Sequence, residues 1–115
     1  MARGDVYYAN LPKPTSSSGH VQAGSRPCII VSTDDNKPQN PIVSVIPLTT
    51  KQAAVKYPHT LQINPSRING LTNISIALVF QLTGIDKSIL MDKIGQLEPD
   101  DLKKIDDILR VLLGL

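Results

Sequence analysis

The sequence is poor in aromatic side chains, with no tryptophan, three tyrosines and one phenylalanine in 115 residues. A broad aromatic platform on which successive bases stack is therefore not expected, and the core has to be built from Ile, Leu and Val. Cysteine is scarcer still. Cys28 stands alone, so no intrachain disulfide can form, which fits a reducing compartment. Inside the apolar run "PCIIVST" it reads as a small core residue, and nothing beside it in sequence would activate a thiol. The two histidines and the single cysteine lack metal-ligand spacing, so neither a metal nor another cofactor is expected. Paired-carboxylate, Walker and dinucleotide-fingerprint motifs are missing too. No apolar run approaches the ~20 residues of a membrane-spanning helix. The start, "MARGDVYY", has no apolar stretch of the signal-peptide kind. The expectation is a cytoplasmic protein with no membrane contact.

What is present supports a folded core. Hydrophobic residues make up 41% of the chain, which argues against disorder and for one domain over residues 1–115. Net charge is only +2, but it is unevenly spread. Residues 1–67 hold seven Lys/Arg against three acids, and residues 68–115 hold five against seven. The basic front half suits an anionic partner such as nucleic acid or an acidic peptide; ordinary surface scatter is the bland alternative.

Apolar patterning predicts short strands at 5–9, 27–33, 42–48, 59–63, 75–82 and, weakly, 92–97. The run "SIALVFQL" (75–82) reads as the strongest, apolar enough to be buried on both faces. Pro47 cannot donate to a ladder, so it marks an edge or a bulge. "DKSIL" reads as one helical turn. Between the first two strands lies "LPKPTSSSGHVQAGS", a loop of about 11–26, longer than most connections in compact domains and of the kind that carries function. The clearest helix is about 99–113. Leu102, Ile105, Leu109 and Leu112 recur at three- and four-residue spacing, and Ile108 and Leu113 widen the stripe. Pro99 suits its first position, Asp100 and Asp101 the positive end of the dipole, and Gly114 its termination. Without crossover helices, a small twisted antiparallel barrel capped by this helix is the economical fold.

Chemistry concentrates around the long loop and the end of the third strand. Arg26 closes the loop, and Pro27 pushes it toward an extended conformation, so the guanidinium is held on a rigid strand. A guanidinium matches a phosphate in geometry and stays charged. Thr49 and Thr50 follow the strand that carries Pro47, and His20 and Gln22 lie in the loop.

These segments resemble a known family, the MazF/PemK toxins. "RGDVYYANLP" is similar to the family's opening, "GHVQAGSRP" to its loop, and "IPLTT" to its Pro-x-Thr-Thr/Ser segment. "GIDKSILMDKIGQL" with "LKKIDDILRVLLGL" is similar to its close. The resemblance covers almost the whole chain in order. It implies an SH3-like barrel that forms a homodimer. It also implies a toxin of a type II toxin–antitoxin pair, cleaving single-stranded RNA independently of the ribosome. The cleavage is metal-free and leaves a 2′,3′-cyclic phosphate and a 5′-OH. Carried over by position, Arg26, Thr49 and His20 are the catalytic candidates. Gln22, Gly24, Thr50, Lys51 and Gln81 are the RNA-binding candidates. The partners implied are single-stranded RNA, a second copy of the chain and the acidic C-terminal segment of a cognate antitoxin, with DNA reached only through that antitoxin. The chain departs from the family pattern at Val21, Phe80 and Thr83, where acids and an arginine are usual, so a different RNA preference or weakened activity is open. Two rivals follow: an inactive antitoxin-binding homologue, and a gyrase poison of the same fold. The ending "LLGL" lacks the Trp-Gly-Ile tail of the gyrase poisons.

Overall fold

The computed structural model describes residues 1–11, 24–33 and 39–115. Seven strands precede one helix: β1 Asp5–Leu11, β2 Gly24–Ile30, β3 Ile42–Thr49, β4 Thr60–Ile63, β5 Ser75–Leu78, β6 Thr83–Asp86, β7 Leu90–Gln96 and α1 Pro99–Leu113. Every pairing is antiparallel, in the order β4-β5-β3-β2-β1-β7, with β6 also beside β3. The architecture is the expected β fold with a terminal helix. Among the described residues β4 and β7 do not pair, so the sheet curves without closing into a full barrel.

The run "SIALVFQL" departs most from expectation. β5 stops at Leu78, a 3-10 turn occupies Val79–Gln81, and a separate strand, β6, follows. The cause lies in β3. Its residues 42–45 pair with β6, and its residues 48–49 pair with β5. The 79–81 turn carries the chain from one half of β3 to the other. Pro47 sits where β3 changes partner, paired only with Cys28 of β2 on its other edge. Its missing N–H therefore leaves no gap in the ladder. Pro47 marks this exchange of partners within a central strand, rather than an edge or a bulge. The segment after Thr50, read as loop, contains a second 3-10 turn, Gln52–Lys56. "DKSIL" contains a third, Lys87–Ile89, where the Asp86 carboxylate accepts from the Ser88 N–H at 2.8 Å. That bond favours the charged form and lowers the Asp86 pKa.

The strands bury side chains on both sides, which explains their continuous apolar runs. Val6, Ile29, Ile46, Leu48, Ile63, Val79 and Ile105 belong to one cluster. Ala9, Leu11, Cys28, Ile30, Val43, Val45 and Ile85 form the other. Neighbours along β2 alternate between the two, as a period of two requires. Helix α1 covers the first cluster. Ile105 is fully buried, and Leu102, Ile108, Leu109 and Leu112 pack around it. Leu113 turns outward at 55% exposure, so it does not widen the stripe. Gly114 ends the helix at φ +71°, and the Leu115 N–H returns to the Arg110 carbonyl at 2.8 Å.

The opening Arg-Gly-Asp is structural. Arg3 Nε donates to the Val31 carbonyl at 2.9 Å, and its guanidinium pairs with Asp106 of the helix. Gly4, at φ +96°, ties the end of β2 to the segment after β7: its N–H donates to Ile30 O and its carbonyl accepts from Leu97 N, both at 2.7 Å. Asp5, 1% exposed, accepts the Ala2 N–H at 2.7 Å and faces Lys93 Nζ at 3.4 Å.

Candidate active site

Arg26 is the third residue of β2, opposite Ala9 of β1. Strand structure therefore reaches into both ends of the expected loop, with Leu11 closing β1 and Gly24–Arg26 opening β2. The Arg26 side chain lies half-buried, and its Nε is buried with no hydrogen-bond partner among the described residues. A buried, charged donor without a partner is costly unless something fills the place.

Beside Arg26 lies a cleft of about 210 Å³ lined by Tyr8, Ser25, Arg26, Pro27, Thr50, Leu71, Thr72, Asn73 and Ser75; the strand register puts the side chains of Tyr8, Ser25 and Pro27 on the cleft's side of the sheet and turns that of Arg26, with Ala9 and Cys28, to the other. Three parts of the chain meet there: the β1–β2 pair, the end of β3, and the segment leading into β5. The last two are joined by one side chain. Gln52 Nε2 donates to the Thr50 carbonyl at 3.1 Å and to the Ile74 carbonyl at 2.8 Å. The segment leading into β5 is shaped further back by Asn69, which is fully buried. Its Oδ1 accepts from Ser66 N and Leu71 N, each at 2.9 Å, and its Nδ2 donates to Asn64 O at 2.9 Å. Gly70 adopts φ +71°, and a Cβ there would stand 1.9 Å from the Ile94 carbonyl oxygen. Only glycine permits that approach of loop to strand.

The two threonines divide. Thr50 is exposed and lines the cleft. Thr49 is 4% exposed, and its Oγ1 accepts the Lys51 N–H at 3.2 Å, which shapes the chain's exit from β3. As the acceptor in that bond, it still carries its own O–H to donate. Lys51 is exposed beside them, and Gly24 opens β2 at φ +85°. Gln81 lies half-buried on the turn after β5 and is not among the lining residues of the cleft. His20, Gln22 and Val21 lie outside the described residues. Phe80 packs edge-on to Tyr57, with ring centroids 6.0 Å apart, and Thr83 opens β6 on the surface. Cys28 is fully buried, and desolvation pushes its pKa up to about 12, so it is an inert core thiol. Among the described residues no group of three or more His, Cys, Asp or Glu could hold a metal ion, and no helix is long and apolar enough to cross a membrane.

Of the residues singled out from the sequence, Arg26 and Thr50 are among those that line the cleft. Sequence reasoning missed Tyr8, Gln52 and the 71–75 wall. Tyr8 had a readable signal, an aromatic with a polar tip one strand away from Arg26. The wall had none, because a stretch such as "NGLTN" shows turn chemistry and no destination.

An antiparallel sheet that does not close among the described residues, with a terminal helix over one face, defines a small single-sheet β protein. The chain belongs to the PemK-like, MazF-like toxin family of type II toxin–antitoxin systems, whose model matches residues 2–113. It is 33% identical over 115 residues to the endoribonuclease EndoA of Bacillus subtilis, covering 100% of this chain and 96% of that protein. It is 31% identical to the endoribonuclease MazF of Staphylococcus saprophyticus, covering 100% and 92%. Among solved structures it resembles a mycobacterial endoribonuclease in complex with its cognate antitoxin, with TM-score 0.73, 26% identity and 100% and 96% of the two chains covered.

Proposed function

We propose that this chain is the toxin of a type II toxin–antitoxin pair, an endoribonuclease that cleaves single-stranded RNA at Arg26. Membership of the toxin family and identity to two endoribonucleases over the full chain support the activity. The observation that carries the site is the Nε of Arg26, buried without a hydrogen-bond partner among the described residues.

The reaction is internal transesterification. The 2′-oxygen of one nucleotide attacks the adjacent phosphorus in line, and the bond to the 5′-oxygen of the next nucleotide breaks. The 2′-OH proton leaves to a base, and an acid returns a proton to the departing 5′-oxygen. The products are a 2′,3′-cyclic phosphate and a 5′-OH. Arg26 stabilises the charge that builds on the non-bridging oxygens, the largest single contribution in reactions of this kind. The hydroxyls of Thr49 and Thr50 donate to the same phosphate. His20 serves one of the two proton transfers. Gln22, Gly24, Lys51 and Gln81 extend the RNA path away from the cleft. The working form is a cytoplasmic homodimer. The acidic segment of a cognate antitoxin lies across the basic front half and covers the cleft.

The test is cleavage by the purified, antitoxin-free protein of a long mixed-sequence RNA in the presence of chelator, with the new ends mapped chemically. Cyclic phosphate and 5′-OH ends are expected, and RNA left intact across varied sequences refutes the reading.

A further inference from the structure

Two of the chain's four aromatic rings meet at the surface. Tyr57 and Phe80, each 37% exposed, pack with centroids 6.0 Å apart and planes at 60°. Edge-on packing of this kind leaves both faces of one ring clear of the other ring. Lys56 Nζ stands 5.5 Å from the Tyr57 centroid.

The segment that carries Tyr57 lies over the same face of the sheet as Arg26. Cys28 pairs with Pro47, so alternation along β2 and β3 puts Arg26, Cys28, Pro47 and Thr49 on one face. Thr49 pairs with Ile76, and Thr60 with Leu78, which carries that face across β5 to β4. Ile29, Leu48, Ala77 and Ile63 occupy the opposite, helix-covered face. From the Arg26 face the Thr60 hydroxyl donates to the Tyr57 carbonyl at 2.9 Å and holds the chain there. The Phe80 N–H donates to the His59 carbonyl at 3.3 Å, which joins the turn after β5 to the same corner.

Charge is one-sided along this stretch. Residues 36–85 contain Lys37, Lys51, Lys56 and Arg67 and neither Asp nor Glu. Lys51 and Lys56 bracket the 3-10 turn that leads from the end of β3 to Tyr57. Exposed rings beside ammonium groups, with no carboxylate to repel phosphate, are what a single strand needs: a base stacks on the ring while the cations follow its backbone. Three strand spacings of ~4.8 Å separate β2 from β4. A base seated at the rings therefore flanks the cleavage point.

We infer that Tyr57 and Phe80, with Lys56, form a stacking seat for one unpaired RNA base that flanks the cleavage point. The inference rests on the RNA-cleavage reading above. It gives a role to Phe80, where the chain departs from its family pattern: an aromatic face stands in place of an acid that would repel a phosphate strand.

The experiment compares wild type with Phe80→Leu, Phe80→Tyr, Tyr57→Leu and Lys56→Ala, well below the melting range. Binding is measured with a 2′-O-methylated mixed-sequence RNA, which lacks the attacking hydroxyl and stays intact, and with a synthetic acidic peptide containing aromatic residues. Cleavage is measured with the unmodified RNA. Phe80→Leu and Tyr57→Leu should each weaken RNA binding and raise KM by roughly tenfold, the scale of one stacked base, with kcat near wild type. Phe80→Tyr keeps the ring face and should bind as wild type does. Lys56→Ala should reduce the slope of log affinity against log salt by about one, as loss of one phosphate contact does. RNA affinity unchanged in both leucine variants overturns the seat. A loss that Phe80→Tyr fails to recover overturns it too. If the leucine variants lose the peptide and keep the RNA, the patch is a protein-docking face and the inference falls. Each of these outcomes leaves the endoribonuclease reading standing, whereas wild-type protein that leaves the unmodified RNA intact refutes that reading and the base seat with it.

Discussion

The same three strands end in two different environments. Toward the helix, β1–β3 contribute Val6, Ile29, Ile46 and Leu48 to one apolar cluster with Ile105, and Arg3 pairs with Asp106 of the helix. Away from it, β1 and β2 carry Tyr8, Ser25 and Arg26, Thr50 follows β3, and Gln52 ties the Thr50 carbonyl to the Ile74 carbonyl of the facing segment. The first region contributes stability by removing apolar area from water. The second contributes little burial and leaves a charged donor without a partner. Substitutions in the two regions should therefore separate cleanly, one set lowering stability and the other lowering turnover. Residues that hold one region to the other should lower both.

The largest expected effect is on the helix side. Ile105→Ala removes a fully buried side chain from the middle of the seam and should cost about 2–5 kcal/mol, as large-to-small core changes do. Urea titration measures this. RNA cleavage per folded molecule, assayed well below the melting range, should stay near wild type. A matching fall in turnover of the folded fraction would show that the two regions are coupled through the sheet.

Arg26→Ala is the converse. Turnover should fall by ~10²–10³, the usual consequence of losing one donor to developing charge. Stability should hold or rise slightly, because a buried unpaired donor is removed. Arg26→Lys should restore only part of the rate, since a point charge cannot reproduce the planar fork. The threonines sharpen the comparison. Thr50→Ala should affect KM and rate alone. Thr49→Ala also removes the acceptor for the Lys51 N–H, so it should lower melting temperature as well. A rate left untouched by Arg26→Ala, with the fold intact, would move the site elsewhere.

How much of this was legible in the sequence follows the same division. The helix could be read from Pro99 to Leu113 because its stripe, its acidic first turn and its terminating glycine all act within a few residues of one another. The strands around Val6, Ile29 and Ile46 could be read because apolar runs of that length have few other uses. The break at Val79–Gln81 could not, because it is imposed by the exchange of partners along β3, a relation between segments more than twenty-five residues apart. Arg26 was singled out from its place before Pro27 together with the family resemblance of its loop. The opposite wall was not. Asn69 fixes that wall through bonds to Asn64, Ser66 and Leu71, and local turn chemistry of this kind reveals that a chain bends without revealing what it bends toward.

Asn69 is accordingly the residue that should break the division. Asn69→Ala leaves the Ser66 and Leu71 N–H groups and the Asn64 carbonyl without their partner. It should cost about 1–3 kcal/mol, the scale of unsatisfied buried polar groups. It should also raise KM, because the 71–75 wall loses its anchor. Stability lost with KM unchanged would mean that the wall is held by Gln52 alone.

The smallest effect at neutral pH is expected at Cys28, which lies two residues from Arg26 on the same strand and is buried in the second cluster. Its thiol is pushed up from 9.0 to about 12 by burial. The protonated form is therefore favoured by folding, and the sign follows directly. Below pH 9 the thiol is protonated in both states and adds no pH dependence. Between about 9 and 12 the unfolded chain has released the proton while the folded chain keeps it, so stability must fall as pH rises through that window. Cys28→Ala should flatten the decline and leave cleavage at pH 7 unchanged. Alkylation of native protein at pH 8 should be negligible until denaturant is added, because only the exposed thiolate reacts. Rapid native alkylation with concurrent loss of cleavage would place the thiol in the working site and overturn its assignment to the core.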